Sequence, residues 1–170
     1  MQTASPSIGF IQQARRGILR RRVDEVAKLV GLTDKEMAYA LAMSVRSLHG
    51  KAPHEPLSLS AGERLLLLEQ LLRHGLAVFD GRADLLSRWL RTPLDELAYR
   101  TGSDTSDAET TMPLSTLGSF HEPFVAYVPT AQPPSTDGLV PQSPLAVLDT
   151  VSGFMLADDV LGRIEWGLVG

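Results

Sequence analysis

At 170 residues the chain has room for one domain, or for two small ones that share a core. A hydrophobic fraction of 44% excludes disorder along the whole length, and the absence of cysteine excludes disulfides, thiolate nucleophiles and Cys-ligated zinc. The net charge of −4 is unevenly spread: residues 1–60 carry nine Lys/Arg against five acids, so a basic front precedes an acidic body. That asymmetry suits a DNA-binding head with a tail that binds something else, and it also suits a merely solvated basic helix face.

Taken in chain order, residues 10–22 read as a basic helix with Phe10, Ala14 and Ile18 on one side. Val23, Val26, Ala27 and Val30 continue at helical spacing until Gly31, which stands where a helix C-cap is expected. Thr33 with Glu36 forms a capping-box pattern, and Met37, Ala38, Leu41 and Ala42 follow as a short apolar stripe. Ser44 is expected to cap a further short helix that Gly50 ends.

Residues 32–51 therefore have the shape of a helix-turn-helix. Val45 and Leu48 are expected in the core, with Ser44, Arg46, Ser47 and Lys51 facing outward as candidate DNA-binding residues. A plain helical hairpin that touches no DNA fits the same pattern. With only two cations on the second helix, phosphate contacts would have to come largely from Arg15 to Arg22 or from a second copy.

Pro53 and Pro56 interrupt the chain, and Ser60 with Glu63 reads as a second capping box. The helix after it is so dense in leucine that it should be buried on most sides or packed in a dimer. Asp84 to Leu90 reads as another helix, closed by Arg91, Thr92 and Pro93. Residues 100–143 are rich in Pro, Ser, Thr and Gly, with one strand-like run, Phe124 to Val128, and read as a long irregular insert. Helical character returns at Pro144, breaks near Ser152 and Gly153, and closes with a helix from Phe154 to Trp166.

Chemistry of the catalytic kind finds little support. The four histidines (His49, His54, His74 and His121) are scattered and form no ligand pair, so no metal is expected. Asp158 and Asp159 are adjacent and diverge on a helix, which does not suit paired acid–base work. Neither the stretch at Gly81 to Leu85 nor that at Thr101 to Asp104 has the spacing of a phosphate loop. No cofactor and no enzymatic activity are expected. No apolar run approaches the roughly 18 residues of a membrane span. The first residues do not read as a secretory signal, so a cytoplasmic location without membrane partners is expected.

Three blocks resemble one family, the Xre/MbcA/ParS-like antitoxins that pair with RES-domain toxins. Trp89 to Pro93 (WLRTP) is similar to the family's Trp-Leu-x-Thr-Pro, and Pro144 to Thr150 (PLAVLDT) to its Pro-Leu-x-x-Leu-x-Thr. Leu161 to Gly167 (LGRIEWG) resembles the closing Leu-x-Arg-Ile-Glu-x-Gly. The resemblance covers residues 20–97 and 144–170, and it is the ordered combination that is specific. It departs between Pro93 and Pro144, where the family usually has a short connection.

The resemblance implies an all-α fold with an Xre-like helix-turn-helix head over residues 1–60. It implies a small helical toxin-binding domain over residues 61–170, carrying the irregular insert near 100–143. It further implies an antitoxin that closes the active site of a NAD-consuming RES-domain toxin and represses its own operon, so operator DNA, the toxin and a second copy of the chain are the expected partners. Arg163, Ile164, Glu165, Trp166 and Gly167 would reach the toxin, although Trp166 suits an interface and a core equally. The competing reading is a stand-alone helix-turn-helix transcription regulator whose C-terminal helices only dimerise it.

Overall fold

The computed structural model describes residues 8–100 and 139–167. The expected strand at 124–128 and nearly all of the expected insert lie outside them. The fold is all-α, with one small two-stranded ladder. By its contacts the chain divides into residues 1–98 with 141–170, and residues 99–140; the helices belong to the first unit.

Helix α1 (Ile8–Arg16) ends at Gly17, whose φ of +85° is in the left-handed region that favours glycine. The expected single helix over 10–22 is therefore broken. The connection at Ile18 to Arg20 instead lies against residues 53–57, with Leu19 bridged to Pro56. Leu57 N–H donates to the Ile18 carbonyl (2.8 Å), and the Arg20 and Arg21 N–H groups donate to Glu55 and Pro53 (both 2.9 Å). Helical periodicity alone could not reveal this, because the partner segment is more than thirty residues away.

Helix α2 (Arg21–Val30) buries Val23, Val26 and Val30 and stops at Gly31 in the αL conformation, as its sequence predicts. Helix α3 (Asp34–Ala40) opens on the full capping box. Glu36 N–H donates to Thr33 Oγ1 (3.2 Å), and Thr33 N–H donates to the Glu36 carboxylate (2.7 Å). A tight turn through Ala42, at φ +50°, leads to α4 (Val45–His49). Ala42, expected in one apolar stripe with Met37, Ala38 and Leu41, is exposed at this turn, whereas those three are buried.

Helix α5 (Leu59–Val78) starts earlier than expected: Ser58, not Ser60, is the N-cap and accepts from Ala61 N–H at 3.2 Å. Leu65, Leu66, Leu68, Leu71 and Leu72 are buried around most of its circumference. The reason is that α1, α2, α3, α6 and α8 all pack on it. Helix α6 (Ala83–Arg91) contributes Leu86, Trp89 and Leu90 to the same core. Strands β1 (Leu94–Arg100) and β2 (Leu139–Gln142), absent from the expected elements, pair with each other.

Helix α7 (Pro144–Val147) and helix α8 (Val151–Glu165) complete the described chain. The break falls at Leu148 to Thr150 rather than at Ser152 and Gly153. Thr150 is the α8 N-cap and accepts from Gly153 N–H at 3.0 Å. Gly153 is required for packing: a Cβ there would lie 1.6 Å from the Val147 carbonyl oxygen. No helix among the described residues is long and apolar enough to cross a membrane.

Candidate nucleic-acid interface and the α8 end

Helix α4 is held to the body by one apolar side chain and one cation. Leu48 is completely buried. Val45, expected beside it, is 37% exposed, because a five-residue helix turns only one position squarely into the core. At the other end of α4, the buried Arg20 guanidinium donates through Nε to the Leu48 carbonyl (2.9 Å) and through Nη1 to Asp24 (2.6 Å). His49 also ties α4 to the start of α3 through Asp34 at 2.7 Å.

Of the candidate DNA-binding residues, Ser44, Arg46 and Ser47 stand exposed on α4 and its cap. Ser44 Oγ accepts from Ser47 N–H (3.0 Å) and shares a 2.7 Å bond with the Ser47 hydroxyl, so part of this pair's capacity is spent on capping. Arg46 makes no ion pair among the described residues. Lys51 stands apart from them: it is half-buried and bound to Glu55 at 2.6 Å, and that contact holds the Glu55 carboxyl below its usual value.

The basic run at Arg15 to Arg22 is not one cationic surface. Arg20 is structural, and Arg22 spans α2 and α5 to the buried Glu69 (2.5 Å) while also binding Glu25 (2.8 Å). Glu69 is bound in addition by Arg73. These bonds to Glu69 and Glu25 raise the Arg22 guanidinium further above its ordinary value. Only Arg15, Arg16 and Arg21 of this run remain exposed without an ion pair among the described residues.

Residues missed as functional candidates position this unit. Arg91 closes the α2–α3 corner, with Nε and Nη2 each 2.8 Å from a Glu36 oxygen and Nη2 3.1 Å from the Gly31 carbonyl. Burial pushes the Glu36 carboxyl up, but the bonds from Arg91 and Thr33 outweigh it and leave the group below its usual value. Tyr39 on α3 donates to the Ala146 carbonyl of α7 (2.7 Å), and burial together with the nearby Asp149 pushes its phenol up.

Helix α8 buries Gly153, Phe154, Ala157, Val160 and Leu161 along one face. Beyond them, Ile164 packs partly on the core. Arg163 is exposed and paired with Asp159 (2.7 Å), and Glu165 lies 3.6 Å from His74. His74 bonds Asp158 through its other nitrogen (2.7 Å), an α5–α8 link that a sequence separation of 84 residues hides. Trp166 is 68% exposed, which decides its earlier ambiguity against the core of this chain. Gly167 follows at φ +65°. Trp89, in contrast, is buried against Phe79, and its indole N–H finds no hydrogen-bond partner among the described residues.

A short capped helix presented after a tight turn, and pinned from below, has the geometry of a helix-turn-helix. Residues 9–69 match the family model of the antitoxin Xre-like helix-turn-helix domain. The matched segment runs from α1 through the middle of α5, so the Xre-like domain includes the two Pro-containing turns and the first leucines of the long helix. A comparison with curated proteins finds no match. Outside the Xre-like domain, two of the blocks noted in the sequence have clear packing duties. Leu90 and Leu148 are fully buried, and Thr150 caps α8.

Proposed function

We propose that the chain is a two-part antitoxin. Its Xre-like domain binds operator DNA through Ser44, Arg46 and Ser47, and through Lys51 once it exchanges Glu55 for a phosphate. Its α8 end, Arg163 to Gly167, occludes the active site of a NAD-consuming RES-domain toxin. Two copies of the chain act together, which doubles a set of phosphate contacts too small to hold DNA at physiological salt. The match of residues 9–69 to the antitoxin domain carries the reading.

The exposed Trp166 supports the toxin half, since Trp and Arg are the side chains most enriched at interface hot spots. In the complex Arg163 would leave or share Asp159, an exchange that costs little because both groups are about half-exposed.

The test separates the two halves. Arg46→Ala should weaken operator binding about tenfold or more and lower its salt dependence by about one counterion per copy, with toxin neutralisation intact. Trp166→Ala should do the reverse, releasing the toxin in co-purification and leaving the operator shift unchanged. Full protection by Trp166→Ala would remove Trp166 as a toxin contact, and a wild type that neither protects against nor co-purifies with a toxin would favour a stand-alone regulator. An unaltered operator shift with Arg46→Ala would remove α4 as the reader.

A further inference from the structure

Helix α3 is the first helix of the helix-turn-helix, yet both of its ends are tied to segments outside residues 9–69. At its start, Arg91 of α6 reaches back to the α2–α3 corner. At its end, Tyr39 donates to the Ala146 carbonyl of α7 at 2.7 Å. The Xre-like domain does not place its own first helix unaided.

The Arg91 guanidinium is fully committed to this corner. Nε and Nη2 form a two-pronged pair with the Glu36 carboxylate, each at 2.8 Å, and Nη2 also donates to the Gly31 carbonyl at 3.1 Å. Nη1 donates to the Ser87 carbonyl at 3.0 Å and to the Ser87 hydroxyl. Together these bonds engage the five N–H groups that a guanidinium carries, so none is left over for a phosphate oxygen. A planar fork on a carboxylate fixes direction as well as distance, which a lysine ammonium cannot do.

Gly31 is the αL stop of α2, and Glu36 closes the α3 capping box with Thr33. In the same first turn of α3, Asp34 bonds His49, the last residue of α4, at 2.7 Å. That turn is a common seat: Arg91 holds it from α6, and α4 rests on it through His49. Helix α4 has five residues and one buried side chain, Leu48, so its own packing fixes its direction only loosely.

We infer that Arg91 is a positioning residue for operator recognition: from outside the Xre-like domain it orients the α3 turn on which α4 rests. The inference rests on the proposed DNA-binding role of α4 and is independent of the toxin assignment.

Mobility-shift titrations of the full chain, on a duplex of the DNA upstream of its reading frame, test it. They are run where circular dichroism shows every variant fully folded. Arg91→Met should weaken binding about three- to tenfold and leave the slope of affinity against salt unchanged. Arg91→Lys should weaken it comparably, since it keeps the charge but loses the fork. Tyr39→Phe should act in the same direction, more weakly. Glu36→Gln should also weaken binding, and combining it with Arg91→Met should add nothing, because both remove one link. Amide exchange in Arg91→Met should quicken at residues 45–49 and stay unchanged in α8, a local signature that a general loss of stability would not give. A salt slope lowered by about one per copy, with binding kept by Arg91→Lys, would make Arg91 a phosphate contact and overturn the inference. Variants that bind as tightly as a binding wild type would overturn it alone. A wild type that binds no such duplex would overturn the DNA-binding reading and this role together.

Discussion

The guanidinium of Arg20 is buried against the Leu48 carbonyl, while that of Arg46, on the helix it supports, is exposed and free of ion pairs among the described residues. Both belong to the basic head, and a count of charge treats them alike. Their difference is solvation: a buried cation persists only where carboxylate and carbonyl acceptors replace water, as Asp24 and Leu48 do here. Arg20→Met should therefore cost about 1.5–3 kcal/mol of stability, the range for charge-assisted hydrogen bonds. It should also weaken operator binding although Arg20 faces inward, because α4 loses its C-terminal tether. Denaturant unfolding beside a mobility-shift titration checks this, and a variant as stable as wild type would refute it.

Among the elements, the α2–α3 corner and α8 depend on clamps that bridge distant segments. The corner is held by Arg91 on Glu36, whose folded-state carboxyl titrates below its ordinary value. A depressed carboxylate contributes stability that is complete above its unfolded value and fades as pH falls through the folded one. Urea unfolding should accordingly show the wild type losing more stability than Glu36→Gln as the pH falls from neutral through the carboxylate range, with the two converging in acid. Equal losses in the two proteins would show that the clamp is not linked to pH. The elements also show how much was legible. Local signals placed Gly31, the Thr33–Glu36 box and the Ser44 cap correctly, since each acts within a few residues of itself. The same local logic failed at Gly17 and at Ser60, where the outcome depends on pairing with residues 53–57 and on the packing of α5.

For the molecule as a whole, one core cluster joins residues of the Xre-like domain to α6, α7 and α8. Leu161 belongs to it and is fully buried, so the closing segment is not a detachable plug. Removing residues 161–170 should cost about 2–5 kcal/mol, the range for deleting a buried leucine. Ending the chain after Glu165 should instead change stability by less than about 0.5 kcal/mol, because Trp166 is a surface residue in this chain. Thermal melts of the two truncations would separate structural loss from loss of toxin binding. Similar melting temperatures would place Leu161 outside the core.

Periodicity, caps and composition determined by themselves that the chain is helical, that α3, its turn and α4 exist, and that the leucine-rich α5 would be central. Those properties arise from interactions within a few residues, or from the apolar area a helix must bury. Only the tertiary structure decided which arginines are solvated, that Lys51 turns to Glu55, that His74 bridges α5 to α8, and that Trp166 points outward. Each of these depends on partners brought together by packing, and a side chain's charge or size does not say which acceptor, if any, will replace its water.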